Sequence, residues 1–366
     1  MKCVIAGGGT GGHLFPGMAI AEAFLEREMG NEVLFIGTER GIESRVLAGG
    51  RFPLRTIRVS PLTGRSLRAK MNALRTIPGA IGEAHSILKE FRPQVVLGVG
   101  GYASGPTLLA ALLLRMKRAI HEQNLVPGMT NRLLKWVSQQ VFVSFEESTR
   151  YFPKGKACVT GTPVRKEFLS NSSAGPDPSD RTGKGRFNLL VFGGSAGAQR
   201  INRAMMESLT GLGELRPFAR IVHQTGREEI ETVSKGYREK GFDARVSPFL
   251  ENMASQIHAA DLVICRSGAS TIAELAICGK AAIFVPYPHA ARQHQLINAQ
   301  KLVDLGAARM IRDEALNGTA LANAVLHLYK HPEEREKMGK AIRQMGHPRA
   351  AQEIVDRLYR LTEKHQ

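Results

Sequence analysis

Twice along this chain, short apolar strands alternate with amphipathic helices, and that rhythm leaves few folds open. The first series has strands at Cys3–Ala6, Val33–Ile36, Leu54–Arg58, Val95–Val99, Ala119–His121, Val141–Val143 and Ala157–Thr160. The second has them at Asn188–Phe192, Ala219–His223, Ala244–Val246, Leu262–Cys265, Ala282–Val285 and Ala308–Ile311, and helical runs dominate after Leu316. Alternation of this kind predicts parallel sheets covered on both faces. Between the series, Asn171–Arg186 is rich in Ser, Gly, Pro and Asp without an apolar period, and reads as a linker. At 366 residues the chain is long enough for two domains. The economical architecture is α/β: two Rossmann-like halves, residues 1–163 and 164–345, facing across a cleft. Ligands in such sheets bind outside the carboxyl ends of the strands.

Charge bears on the partners. Fifty Lys and Arg against thirty-three Asp and Glu give a net charge of +17, which attracts polyanions, anionic lipid or phosphorylated substrates. No RRM, KH, zinc or base-stacking signature accompanies it, so no nucleic-acid partner is expected. Cys3, Cys158, Cys265 and Cys278 are scattered without a CxxC pair, which fits a reducing compartment. The run Leu108–Leu114 is the longest apolar one and falls far short of the ~20 residues of a membrane span. Membrane contact is therefore expected to be peripheral. Pro61–Glu90, where Arg65, Arg68, Lys70 and Arg75 interleave with Leu67, Met71, Leu74, Ile77, Ile81 and Ile87, is the candidate surface.

Three glycine-rich loops each follow a strand and precede a helix: Gly7–Gly12, Gly100–Pro106 and Gly193–Ala198. Glycine lets backbone approach a ligand, and helix N–H groups favour an anion. The first loop satisfies G-x-G-x-x-G, and Glu39 follows the second strand, so an NAD-dependent dehydrogenase is a rival reading. His13 and Pro16 lie beyond what that reading explains. Pro16 suits a first helical turn, which would display His13 at the loop end. Cys265–Glu274 ends a strand in small residues, with a helix starting near Ser270, hydroxyls at Ser267, Ser270 and Thr271, and Glu274 one turn on. Glu274 could accept hydrogen bonds from a ribose diol. The polar runs His289–Asn298 and His121–Asn124 suit sugar hydroxyls, and Arg165 could reach a diphosphate.

In order and spacing, GGGTGGHLFP, GGYASGP, HEQN, GGSAGA and CRSGASTIAE resemble the MurG family over essentially the whole chain. The resemblance implies a GT-B fold and a peripheral enzyme at the cytoplasmic face of the membrane. It implies inverting transfer of N-acetylglucosamine from UDP-N-acetylglucosamine to the C4 hydroxyl of undecaprenyl-diphosphate-linked N-acetylmuramyl-pentapeptide (lipid I), giving lipid II for peptidoglycan. His13 would be the general base, a role suited to an imidazole whose ordinary pKa is ~6.5. The resemblance places uracil at Leu250, diphosphate at Ser195, Arg165 and the helix start at Ala269, Ser270 and Thr271, and ribose at Glu274, and counts Ile272 and Ala273 among the donor contacts. Sugar contacts fall to His294, Gln295 and Asn124. Thr10–His13 faces the acceptor, with Thr10, Gly11 and Gly12 counted also among the donor contacts. Gly100, Gly101, Tyr102 and Ser104 complete the acceptor side. The last helix, within 346–366, would pack back on the first domain. No cofactor is expected, and no Asp-x-Asp occurs in the chain, so the chemistry is expected to need no metal. A GT-B transferase with another lipid acceptor and a UDP-sugar epimerase share the expected nucleotide site and stay open.

Overall fold

A computed structural model describes residues 1–39, 41–47, 50, 52–59, 67–170, 186–194 and 197–363, with the side chains at 45 and 67–74 left aside. Residues 171–185 of the expected linker, and Ser195, lie outside the described residues. The chain divides into two compact units, Met1–Arg165 with the C-terminal stretch from His347, and Lys166–Gly346.

In the first unit the strands are β1 (Lys2–Ala6), β2 (Glu32–Gly37), β3 (Leu54–Thr56), β4 (Val95–Gly98), β5 (Lys117–Glu122), β6 (Gln140–Val143) and β7 (Ala157–Val159). They pair in parallel in the order β3-β2-β1-β4-β5-β6-β7. Alternate residues of β1 feed opposite cores, as a doubly covered strand requires. Cys3 and Ile5 join one cluster, and Val4 and Ala6 the other. The first cluster lies under α1 (Gly11–Arg27) and α14 (Ala350–Glu363), which brings in Ile354, Val355 and Leu358. Tyr359 of α14 packs its ring 5.8 Å from that of Phe24, and Asp356 pairs with Arg27. The opposite face carries α3 (Leu67–Phe91), α4 (Ser104–Leu113) and α5 (Met129–Leu134); Ala80, Ala84, Leu88, Leu108 and Leu134 fill its core.

The second unit repeats the plan. Strands β8 (Phe187–Phe192), β9 (Ala219–Gln224), β10 (Asp243–Ser247), β11 (Leu262–Cys265), β12 (Ala282–Phe284) and β13 (Arg309–Met310) pair in parallel in the order β10-β9-β8-β11-β12-β13. Ile201 and Met205 of α7 (Gln199–Ser208), Val233 and Tyr237 of α8 (Ile230–Glu239) and Leu321 and Val325 of α12 (Gly318–Lys330) cover one face.

Candidate active site

Strand order reverses between β1 and β4 in the first sheet and between β8 and β11 in the second. These are the switch points at which open α/β sheets leave a crevice. All three glycine loops and the Arg266–Thr271 turn follow these four strands, so each unit gathers its small-residue loops at one place.

In the first unit two glycine loops touch. A Cβ on Gly101, whose φ is +84°, would lie 2.2 Å from the Gly8 carbonyl oxygen, so only glycine permits this approach. Ser104, predicted to touch the acceptor, is fully buried and cannot do so. Its Oγ donates to the Ala6 carbonyl at 2.7 Å and accepts from the Gly100 N–H at 3.1 Å, pinning the second loop to β1. Tyr102, beside it, is half-buried.

Thr10 is the N-cap of α1, which begins at Gly11. Pro16 therefore stands inside the helix and not in its first turn, leaving the Gly12 carbonyl without its i+4 donor. His13 is accordingly a residue of the first helical turn, not of the loop end. Its Nδ1 lies 3.1 Å from Thr10 Oγ1, and a Cβ on Gly100 would come within 2.8 Å of its Nε2. Nearby, His121 is fully buried and binds the Gly161 carbonyl through Nε2 at 3.1 Å. Burial pushes its pKa down to about 4, and His13 adds to that, so a neutral ring faces His13.

Of the run His121–Asn124, three members are buried and Asn124 alone reaches partial exposure. Strand β5 extends through Glu122, carrying the preceding polar residues into the sheet. The Glu122 carboxyl accepts from the Asn124 and Gly128 N–H groups, both at 3.0 Å, and from Asn131 Nδ2 at 2.9 Å. Burial raises its pKa against the pull of these donors. It is a bracket for Asn124. Arg165, in the same unit, stacks its guanidinium 4.6 Å above the Phe15 ring of α1.

In the second unit α10 (Ala269–Cys278) starts after the β11 turn with Gly268 as N-cap. Its first-turn N–H groups, those of Ala269, Ser270 and Thr271, are the donors a helix start leaves over. At Ile272 the N–H is spent on the Gly268 carbonyl at 3.0 Å and the side chain is buried. Ala273 likewise lies beyond the first turn, where N–H groups bond within the helix. Glu274 is almost wholly buried, and its charge helps burial raise the Cys265 and Cys278 thiols, the latter to about 12. Gln295 accepts from the Tyr287 N–H through Oε1 at 2.9 Å, which aims its amide. His294 opens α11 (His294–Asp304), Nδ1 donating to the Ala291 carbonyl at 2.7 Å; burial lowers its pKa. Leu250 is buried, its N–H held by Gln224 Oε1 at 2.9 Å, while Gln224 Nε2 donates to the Gly194 carbonyl at 2.7 Å. One amide thus links the third glycine loop to Leu250.

The glycosyltransferase family 28 N-terminal domain matches residues 3–143, and the family's C-terminal domain matches residues 188–354. This chain belongs to the MurG family. A relative from Myxococcus xanthus is 47% identical over 97% of the chain and 92% of its own length. Another, from Geobacter sulfurreducens, is 46% identical over 100% of both. Both are named UDP-N-acetylglucosamine--N-acetylmuramyl-(pentapeptide) pyrophosphoryl-undecaprenol N-acetylglucosamine transferase. The crystal structure of Acinetobacter baumannii MurG is 31% identical, with a TM-score of 0.76 over 98% of this chain and 99% of its own. A putative UDP-N-acetylglucosamine 2-epimerase from Listeria monocytogenes aligns with a TM-score of 0.72 at 14% identity, a likeness of fold alone. Two parallel-sheet α/β domains with this kinship make the fold GT-B.

Several residues of this MurG-family site escape sequence reading. Glu43, Gln224 and the pair Arg266–Asp313 touch the loops from beneath. Arg266 and Asp313 are mostly buried and lie 2.6 Å apart. Glu43, Gln224 and Asp313 stand outside the motifs, where no local pattern marks them; Arg266 stands within CRSGASTIAE, but nothing local shows its pairing with Asp313. Glu39, the acid a dehydrogenase would use, is exposed on the loop after β2.

Proposed function

We propose that this chain transfers N-acetylglucosamine from UDP-N-acetylglucosamine to lipid I, forming lipid II in peptidoglycan synthesis. Near full-length identity to transferases named for that reaction carries the reading. The acceptor's C4 oxygen attacks C1 of the sugar, and the bond from C1 to the diphosphate breaks. UDP departs with that electron pair, and the single displacement inverts the anomeric centre. His13 takes the hydroxyl proton. With Nδ1 3.1 Å from Thr10 Oγ1, the tautomer that donates Nδ1–H to that oxygen presents Nε2 as the acceptor. On the donor side, the N–H groups of Ala269, Ser270 and Thr271, with Arg165, meet the leaving charge. Glu274 takes the ribose, the Leu250 backbone the uracil, and Asn124, His294 and Gln295 the sugar. Gly100, Gly101 and Tyr102 stand on the acceptor side. Transfer of radiolabelled sugar to a short-chain lipid I analogue tests the reading; folded protein that binds UDP yet transfers nothing to it would sink it.

Helix-start amides and an arginine can take the part a divalent ion plays elsewhere, so full transfer is expected in excess chelator. Complete loss restored by magnesium would reject this.

The site of membrane contact is the α3–α4–α5 face. The side chains read from sequence at 65–74 lie outside the described residues. Among the described residues of α4, α5 and the turn after it, Leu113, Leu133 and Trp136 are 67%, 68% and 69% exposed. Exposed Arg115 and Arg132 flank them, and Lys135 Nζ lies 5.0 Å from the Trp136 ring centre. Exposed apolar side chains with cations next to them in the chain suit an anionic bilayer, each cation adding ~1 kcal/mol. Among the described residues no helix is long and apolar enough to cross a membrane. Co-sedimentation with phosphatidylglycerol vesicles is expected to fall in W136E and L133E and at high salt. Equal pelleting with neutral vesicles would count against this face.

A further inference from the structure

Glu43 stands in α2 (Ile42–Val46), just after β2, and is only 1% exposed. A buried acid is costly unless its oxygens are bonded. In this protein they are: Oε2 accepts the Gly9 N–H at 2.7 Å, and Oε1 accepts the Thr38 N–H at 2.8 Å and the Thr38 hydroxyl at 2.9 Å. One oxygen faces the first glycine loop and the other faces the end of β2.

Three glycines make room for this carboxylate. A Cβ on Gly8, Gly37 or Gly41 would fall 2.3, 2.5 or 2.1 Å from the Glu43 side chain. Gly41 has an ordinary φ of −80°, so crowding by the acid, and not backbone conformation, calls for glycine there. The bonded amide is that of Gly9, next to the Thr10 cap and four residues before His13. Gly8 in turn presses on Gly101, so both glycine loops of the unit rest on this anchor.

We infer that Glu43 is a positioning residue for the transfer reaction, a clamp that ties the first glycine loop to β2 and so sets the place of Thr10 and His13. This rests on the proposed assignment of that loop to the acceptor side. Only a carboxylate offers acceptors in both directions. Glutamine at this position would turn an NH2 group toward an N–H or a hydroxyl, and aspartate is one methylene too short to span both.

The test uses E43Q and, independently, G41A, whose methyl displaces the same carboxylate while leaving Glu43 in the chain. Rates against a lipid I analogue at saturating donor, calorimetric Kd for UDP-N-acetylglucosamine, and thermal melts are measured on each preparation. The expected result is a fall in acceptor kcat/KM of about tenfold to a hundredfold, as when a hydrogen bond to a charged group is lost. Donor Kd moves by less than about threefold, since uracil, ribose and diphosphate are assigned elsewhere and only Thr10, Gly11 and Gly12 of this loop are counted among the donor contacts. The double variant E43Q/G41A is no worse than the more impaired single, because both act on one contact.

Acceptor kcat/KM within about threefold of the parent in both variants overturns the clamp. Losses that add in the double variant and track a lowered melting point make Glu43 merely structural and overturn it too. Weakened donor binding with acceptor kinetics intact overturns the acceptor-side assignment, and with it the role proposed for His13, while leaving the contact itself standing. If E43Q does not fold, G41A alone decides among these results.

Discussion

His13→Ala is expected to lose nearly all transfer, with kcat down by about 10²- to 10⁴-fold, the range a positioned general base supplies. The donor Kd should not move, since the groups assigned to uracil, ribose and diphosphate are elsewhere. Nor should the melting point fall much, since the ring is only half-buried. The geometry also sets a graded series. Thr10→Val removes the oxygen that orders the imidazole but keeps the imidazole, so its loss should be smaller and confined to kcat. Gly100→Ala would drive a methyl to 2.6 Å from His13 Cδ2, pushing the ring aside without deleting it. Single-turnover transfer by the three variants, beside wild type, checks this. If H13A keeps more than about a tenth of the wild-type rate, the proton goes elsewhere and His13 is not the base.

What is legible in the sequence is whatever has a period or a glycine. Each predicted strand lies within a residue or two of its observed place, because each is a short apolar run closed by a turn residue, and parallel strands buried on both faces must look so. The β3 and β13 edges are shorter than predicted, since the last residues of those runs have a neighbour on one side only. The side chains that brace the loops are harder. Ser104 reads as a ligand contact because polar residues beside glycine usually face a ligand, and Glu122 because it stands in a polar run suited to sugar hydroxyls. In the structure one staples a loop to β1 and the other holds Asn124 from below. At Ala269–Ala273 the motif has no sense of where the helix begins, and one turn decides which N–H groups remain free. Glu43 and Asp313 leave no mark in the sequence at all. Each acts through a contact with a strand far away along the chain, and an isolated acid in a helix or turn looks like any solvated one.

Asp313→Ala should be the most destabilising single change in the second unit. Arg266 follows β11 directly. Its Nη1 donates to the Val285 carbonyl at 3.1 Å, to the Pro286 carbonyl at 3.0 Å and to Asp313 Oδ1 at 2.6 Å. One guanidinium thereby staples the carboxyl ends of β11, β12 and β13, from which the α10 start and the His294–Gln295 turn emerge. The two side chains are only 11% and 12% exposed. Deleting the acid leaves a buried cation facing only carbonyls and the Tyr287 ring, 5.5 Å away, a change that costs about 3–5 kcal/mol. Arg200, half-exposed and 3.4 Å from the other Asp313 oxygen, cannot replace it, since it too is a cation. For a unit of this size the melting point should drop by roughly 10 °C, and UDP-N-acetylglucosamine should bind more weakly, because the loops assigned to it lose their common anchor. The compensating variant separates charge from packing. With Arg266→Met added to D313A no ion is left buried, and much of the stability should return. Donor affinity should not return with it, since the three strand ends are no longer tied. A melting point for D313A within about 2 °C of wild type, with donor affinity intact, would show that the pair bears no weight in this fold.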